Sequence, residues 1–233
     1  MEVGPTTHYV MGGVRVDAET QMSTVPGLYA AGEAAAGLHG ANRLGGNSLS
    51  DLLVFGKRAG EYAAKFAHEN CEGKIDDNEI DAIASAALEP LERDGDGESP
   101  YQIQSELQEM MQDKVGIIRE DGLMKEAIDD IARLAERAPK AAAPGNREYN
   151  PGWHTALDLK CLLTVSEASA RAALERRESR GAQTRNDFPD KDPDDWGRHN
   201  LLLRKGNDGS MEVEKVSVVP QTDQQKKIIK DNQ

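Results

Sequence analysis

A polar loop with two glycines, running directly into an apolar helix, constrains this chain more than any other stretch. Residues 39–56 read HGANRLGGNSLSDLLVFG. Gly45 and Gly46 permit a tight turn and let a ligand approach main-chain N–H groups. Asn47 or Ser48 is predicted to cap the following helix, and apolar side chains at helical spacing predict its buried face. Those side chains belong to Leu49, Leu52, Leu53 and Phe55.

The composition limits the classes of partner that this chain can bind. Of 233 residues, 38% are apolar and only 4% aromatic, so we expect an aliphatic, helix-rich core. The formal net charge of −13 argues against nucleic acid and anionic membrane surfaces as partners. Cys71 and Cys161 have neither disulfide-framework nor metal-site spacing, which fits a reducing cytoplasm and no metal. No apolar run approaches the ~20 residues that cross a bilayer, so membrane association would require a partner.

Two short strands are predicted before the glycine loop. Residues 13–17 alternate between apolar and polar side chains, and residues 26–33 read as a turn and a buried strand. Glu33 would then lie at the carboxyl end of the second strand, where ligands collect in open α/β sheets.

The rest of the chain is predicted to be mostly helical, with one β-hairpin near its end. Asn207 and Gly209 lie in the predicted turn of that hairpin, and the polar stretch 221–233 is typical of a disordered tail. The last three of the predicted helices would form a small antiparallel bundle. The predicted helices are 48–68, 77–92, 101–115, 122–137 and 155–176, and the predicted hairpin strands are 199–204 and 211–218.

Two side chains suit an organic dicarboxylate. Arg43 can hold one carboxylate by two parallel hydrogen bonds, and His8 can donate to the other. Each lies near a glycine pair, so the backbone, at Gly46 in particular, can approach a ligand closely. A lone histidine is more often structural and a lone arginine more often solvated, so both interpretations stay open.

Four residues are candidates for contacting a cofactor. Glu33 could accept hydrogen bonds from sugar hydroxyls, or it could be a plain exposed acid. Asn47, Ser48 and Leu49 open the helix after the glycine turn, where N–H groups and the helix dipole favour an anionic group. The alternative for Ser48 is a simple helix cap.

Several motifs together resemble one family, the flavoprotein subunit of succinate dehydrogenase and fumarate reductase. They lie in the expected order and span nearly the whole chain. The motifs are THYVMGG at 7–13, PGLYAAGE at 26–33, HGANRLGGNS at 39–48, ESRGA at 178–182, DFP at 187–189, and Trp196. The resemblance implies an α+β chain: the C-terminal segment of a Rossmann-like FAD-binding domain (1–70), a three-helix domain (71–182), and a C-terminal loop, β-hairpin and tail (183–233).

The resemblance also implies a reaction. His8, Arg43 and Gly46 would bind succinate or fumarate, and hydride would pass to or from flavin N5. The FAD contacts would come from Glu33, Asn47, Ser48 and Leu49. Electrons would pass to an iron–sulfur subunit, and membrane anchor subunits would hold the complex indirectly at the cytoplasmic face of the membrane.

The departures from the family pattern predict a C-terminal portion of such a subunit. The sequence lacks a GxGxxG fingerprint, the N-terminal half with its flavin-linking histidine, and the capping domain with its proton-shuttling arginine. No catalytic residue is therefore expected within this chain, and alone it is expected to be inactive and to bind FAD weakly. Gln183 stands where the family usually has histidine. Glu178 and Arg180 are interpreted as a structural ion pair.

Two other interpretations remain open. L-aspartate oxidase has a similar motif pattern and a substrate with two carboxylates, which His8 and Arg43 would serve equally. The chain could also be a non-catalytic helical interaction module that retains relict motifs and binds an iron–sulfur partner.

Overall fold

The computed structural model describes residues 8–70, 73–93 and 97–231. Residue 7, Cys71 and the last two residues of the predicted tail lie outside these ranges. Within them the chain mixes helices and short strands, which confirms the predicted α+β class. The helices are α1 (Asn47–Glu69), α2 (Asp77–Glu92), α3 (Pro100–Val115), α4 (Asp121–Arg137), α5 (Pro151–Glu175) and α6 (Asp223–Asp231). The strands are β1 (Ile118–Arg119), β2 (Thr184–Arg185), β3 (His199–Lys205) and β4 (Met211–Ser217).

None of the helices in the described ranges combines the length and the apolar character that a membrane span requires.

The segment before α1 contains isolated β-bridges in place of the two predicted strands. Val14 bridges Ala35 in the first stretch, and Tyr29 bridges Met22 in the second. The two strand predictions are wrong because each stretch pairs at isolated positions and forms no continuous ladder. Glu33 accordingly lies in a short 3₁₀-helix and not at the end of a strand.

The start of α1 is not capped by a side chain. Gly46 occupies the N-cap position and makes no side-chain capping bond, and Asn47 is the first helical residue. The Ser48 hydroxyl instead accepts a hydrogen bond from Arg43 Nη1 at 3.0 Å. The predicted capping by Asn47 or Ser48 is therefore wrong.

The apolar side of α1 faces outward. Leu49, Leu52 and Leu53 are 67%, 53% and 76% exposed, while Phe55 is half-buried. The prediction of a buried leucine face is wrong, because these side chains stay mostly exposed even though Leu52 lies against Gly32. Asp51, only 4% exposed, is the one buried residue of this fully described helix.

Helices α3, α4 and α5 pack around one aliphatic core, at the positions that hydrophobic spacing predicts. α5 begins four residues before its predicted start. The side chain of Asn150 accepts the Trp153 N–H at 3.0 Å, and Pro151 suits the first helical turn. The core includes Ile103, Leu107, Ile131, Leu134, Leu159 and Leu163.

The predicted β-hairpin is confirmed. β3 and β4 pair antiparallel, with His199 opposite Ser217 and Lys205 opposite Met211. The hairpin is held to the end of α5 through the buried Trp196 ring. The Arg176 guanidinium carbon lies 5.1 Å from the ring centroid, and the Lys215 ammonium lies 3.8 Å from it.

Two features differ from the sequence prediction. β1 and β2 pair in parallel, but two residues per strand are too few for a periodic signal. Helix α6 occupies the stretch predicted to be disordered, so that prediction is wrong. Its start carries a reciprocal cap: Gln225 N–H donates to Thr222 Oγ1 at 3.2 Å, and Thr222 N–H donates to Gln225 Oε1 at 2.8 Å.

A fully buried carboxylate organises the chain after α5. Glu178 Oε1 accepts hydrogen bonds from Arg176 at 2.6 Å and from Arg180 at 2.8 Å, and Oε2 accepts the Asp192 N–H at 2.9 Å. Burial opposes ionisation of Glu178 most strongly, yet the bonds from Arg180, Asp192 and Arg176 together hold its pKa below the ordinary value. The predicted structural pairing of Glu178 with Arg180 is confirmed.

Two polar side chains close the C-terminal end of α5. Buried Arg185 donates from Nη1 to the carbonyls of Ala173 and Leu174, both at 3.0 Å. Gln183 Nε2 donates to the same Ala173 carbonyl at 3.0 Å, and its Oε1 accepts from Arg119. These bonds satisfy carbonyls that a helix end would otherwise leave unpaired.

We expect Leu159→Ala to lower the free energy of unfolding by about 2–5 kcal/mol, because it leaves a cavity in a fully buried site. Leu162→Ala, on the same helix but 36% exposed, should cost about 1 kcal/mol or less. Urea unfolding of both variants measures the difference. Equal losses would contradict this assignment of the core.

We expect the stabilising effect of Asp187 to disappear in acid. Two hydrogen bonds from Arg185 are the main cause that lowers the pKa of Asp187 to about 2. Because the folded pKa lies below the unfolded value of about 3.9, this stabilisation is complete above that value and is lost as the pH falls towards 2. Its size is about 2 kcal/mol.

Urea unfolding at several pH values measures this effect. Asp187→Asn should be clearly less stable than the parent at neutral pH, since it leaves the buried Arg185 without its counter-charge, and the gap should shrink below pH about 4. Asp81→Asn, at an exposed position on α2, is the control. A gap that stays constant in acid would contradict the prediction.

Candidate functional site

Arg43 is held in one orientation by three contacts. Its Nη1 donates to Ser48 Oγ at 3.0 Å and to the Gly45 carbonyl, and its guanidinium carbon lies 4.9 Å from the centroid of the Tyr9 ring. Its Nε is buried and has no hydrogen-bond partner among the described residues. A charged donor fixed in this way can receive an anionic group at the edge that contains Nε.

The Tyr9 ring is itself held in place by Asp51 and His39. Its hydroxyl donates to Asp51 Oδ2 at 3.5 Å, and its ring makes a T-shaped contact with the His39 ring, with centroids 5.3 Å apart. His39 Nε2 lies 3.4 Å from Asp51 Oδ2, near enough for attraction but without hydrogen-bond geometry. Burial raises the pKa of Tyr9, and the negative charge of Asp51 adds to this effect. Tyr9, His39, Arg43 and Asp51 are called the arginine platform below.

His8 lies beside this platform. It is exposed, and among the described residues it has no hydrogen-bond or ion-pair partner. Its chain neighbour Tyr9 carries the Arg43 guanidinium, so the structure brings the two predicted carboxylate-binding residues into one region. No hydrogen bond joins the two side chains themselves. Gly46 lies at the start of α1, with open space where a Cβ atom would project.

The four predicted cofactor residues differ in their surroundings. Glu33 Oε1 accepts the Val10 N–H at 3.0 Å, so its carboxylate holds the segment beside His8. The N–H groups of Asn47 and Leu49 donate to nearby loop carbonyls, both at 3.1 Å, while Ser48 accepts from Arg43. Glu33 and Ser48 thus contact the chain around the arginine platform, and Asn47 and Leu49 lie at its exposed edge.

Sequence reasoning missed three members of the platform: Tyr9, His39 and Asp51. One signal was available, because Asp51 follows Asn47 and Ser48 at spacings of four and three, which puts three polar side chains on one face of an apolar helix. The roles of Tyr9 and His39 depend on ring contacts between distant parts of the sequence, and such contacts leave no local pattern.

The loop that carries Arg43 is attached to the segment after α5. Ala182 N–H donates to the Ala41 carbonyl at 3.0 Å. Gly181 has a φ of +60°, and a Cβ atom there would lie 2.2 Å from the same carbonyl oxygen. Glycine is therefore required for this close approach of the ESRGA motif to the loop.

Seven exposed apolar side chains belong to the same stretch of chain as the site and are called the apolar surface below. Its side chains come from the segment before α1 and from α1 itself, and all are at least two-fifths exposed. Its members are Val10, Val14, Leu38, Leu44, Leu49, Leu52 and Leu53.

Metal binding finds no support in the described ranges. They contain no group of three or more His, Cys, Asp or Glu side chains placed to hold a metal ion.

Two family models match the chain. The model described as fumarate reductase flavoprotein C-term matches residues 104–228, and the model described as FAD binding domain matches residues 1–49. The first match confirms the predicted family resemblance, and the second confirms FAD as the predicted cofactor.

Curated relatives carry the same family names. The fumarate reductase flavoprotein subunit of Haemophilus influenzae is 39% identical over 210 residues, which cover 88% of this chain and 35% of the relative. That of Mycobacterium tuberculosis H37Rv is 39% identical over 221 residues, covering 91% of this chain and 37% of the relative. The succinate dehydrogenase flavoprotein subunit of Coxiella burnetii is 38% identical over 217 residues, covering 87% and 36%. The chain thus spans a little over a third of the length of these relatives.

Solved structures agree with these matches. The Mycobacterium smegmatis Sdh1 complex in the apo form has a TM-score of 0.85 and 45% identity, covering 95% of this chain and 38% of that chain. An E. coli quinol fumarate reductase has a TM-score of 0.76 and 34% identity, covering 93% and 38%.

We expect Gly181→Ala to break the contact between the loop and the ESRGA motif. The new methyl group would overlap the Ala41 carbonyl, so the variant should lose about 2–4 kcal/mol of stability and its Ala182 amide should exchange faster with solvent. Gly209→Ala has a φ of +87° but open space, so it should cost about 1 kcal/mol only. Hydrogen exchange and urea unfolding test this, and equal losses in both variants would contradict it.

Proposed function

Because the chain belongs to the fumarate reductase flavoprotein C-terminal family, we propose that it supplies substrate-binding and flavin-contacting residues to an FAD-dependent enzyme that interconverts succinate and fumarate. The observation that carries this proposal is Arg43, fixed on the Tyr9 ring with its buried Nε lacking a partner among the described residues. Such a guanidinium edge fits a carboxylate, which accepts two parallel hydrogen bonds.

In this proposal Arg43 binds one carboxylate of the diacid and His8 the other. His8 is exposed and free to donate, and Gly46 leaves room for the ligand beside the backbone. Holding both ends keeps the central carbon–carbon bond in one orientation, which a hydride transfer requires. A monocarboxylate would leave one of the two hydrogen-bond donors, His8 or Arg43, unpaired and would bind more weakly.

The start of α1 fits an FAD group. Gly45 and Gly46 leave open space there, and the positive end of the α1 dipole lies at the same edge. Ser48, Asn47 and Leu49 are the proposed contacts at this edge, with Glu33 as the proposed partner of sugar hydroxyls. FAD, when bound, supplies the two-electron chemistry of such a site.

The apolar surface beside the site supports a protein partner. We assign it to the FAD-binding region that precedes this segment in full-length family members, because its leucines border the proposed flavin contacts. An iron–sulfur subunit is the proposed electron partner. Through that subunit, membrane anchors would hold the protein peripherally at the cytoplasmic face.

The proposed domain division follows the same scheme. Residues 1–70 would complete the FAD-binding domain, residues 71–182 would form the helical domain, and residues 183–233 would form the loop, hairpin and tail. The core around α3, α4 and α5 supports the middle unit.

The experiment that tests the function uses a chimaera. This chain replaces the homologous segment of the M. tuberculosis fumarate reductase flavoprotein subunit, to which it is 39% identical. Fumarate reduction with a reduced viologen dye is measured for the parent, for Arg43→Ala and for Arg43→Lys. Loss of the bidentate contact should lower kcat/KM by about a thousandfold in Arg43→Ala, with a partial loss in Arg43→Lys.

Arg204→Ala is the matched control, because Arg204 is an exposed, ion-paired residue of the hairpin. Its activity should equal that of the parent. Full activity in Arg43→Ala would overturn the proposal. Oxidation of aspartate in place of fumarate reduction would identify L-aspartate oxidase, and a flavin-loaded chimaera without turnover on either diacid would favour the non-catalytic module.

A further inference from the structure

Asp51 is a buried carboxylate on a helix that is otherwise exposed or half-buried. It is 4% exposed, whereas its neighbours Leu52 and Leu53 are 53% and 76% exposed. Burying a carboxylate costs free energy unless it is paired, so Asp51 requires compensating contacts. Those contacts are Tyr9 and His39, and neither touches the helical core.

Asp51 is connected to Arg43 through a single residue, Tyr9. Asp51 accepts the hydrogen bond of the Tyr9 hydroxyl, and the Arg43 guanidinium lies 4.9 Å above the Tyr9 ring. A phenol that donates to a carboxylate has more electron density on its ring, which strengthens the attraction of the ring for a cation. The T-shaped contact of His39 with the ring restricts its rotation.

We propose that Asp51 is a positioning residue, which acts through Tyr9 to orient the Arg43 guanidinium towards a carboxylate of the diacid. This inference rests on the proposed function for its substrate, but the positioning itself concerns side chains within this chain. Ser48 and Gly45 hold Nη1 of Arg43 from the loop side. The Tyr9 ring, fixed by Asp51, holds the face of the guanidinium, so that the edge containing Nε remains for the ligand.

The first test needs no substrate and uses the 233-residue chain. The pKa of Tyr9 is followed by ultraviolet absorbance of its phenolate, with Tyr9→Phe subtracted to isolate its signal. In Asp51→Asn this pKa should fall towards the ordinary value, since the nearby negative charge is removed. The Arg43 Nε–H signal in proton–nitrogen NMR should shift at the same time, because the aromatic ring above which it lies moves.

An unchanged Tyr9 titration together with an unchanged Arg43 Nε–H signal in Asp51→Asn would overturn the inference. Asp81→Asn on α2 is the control and should alter neither signal. Because this test requires neither flavin nor diacid, its failure is distinguishable from failure of the proposed function.

The second test is a double-mutant cycle in the chimaera. Asp51→Asn should lower kcat/KM for fumarate by about tenfold, and Asp51→Glu should restore part of it. In the Arg43→Ala background the same change should have almost no further effect, since no guanidinium remains to be oriented. A tenfold loss that persists in the Arg43→Ala background would assign Asp51 a purely structural role and overturn the inference.

Discussion

The hydrogen bond from Ala182 N–H to the Ala41 carbonyl joins two segments that lie 141 residues apart in the sequence. It exists because Gly181 has no side chain to separate them. It connects the loop that bears Arg43 to the segment after α5, in addition to the contacts of His39 and Arg43 within the arginine platform. A single backbone contact therefore makes the geometry of the arginine platform depend on the segment that follows the helical core.

Buried charged side chains occur in both segments that this hydrogen bond joins. Glu178 is compensated by two arginines and one N–H, and Arg185 by a carboxylate and three carbonyls. Among the described residues, Asp51 has only a phenol at 3.5 Å and an imidazole at 3.4 Å. The first two groups are saturated and hold the fold together, whereas the platform keeps an unpartnered donor at Arg43 Nε. This contrast separates a structural network from a candidate binding site.

Much of the fold could be predicted from the sequence. Helical spacing located α1 to α5 within a few residues, and Asn207 and Gly209 located the hairpin turn. The outward leucines of α1 could not be predicted, because periodicity identifies an apolar side but not whether anything covers it. The candidate site was predicted in part: Arg43 and Ser48 are in contact, as one loop implies. Tyr9 and Asp51 were missed because their importance arises only where distant segments meet.

The amide of Gln183 has one further consequence. It donates two hydrogen bonds, to the carbonyls of Ala173 and Arg176, and accepts one from Arg119. A neutral imidazole has one donor and one acceptor, so it could not replace all three bonds. A primary amide also gains and loses no proton in the physiological range. The joint between α5 and the parallel strand pair is therefore insensitive to acidity at this position, and only the nearby carboxylates respond to it.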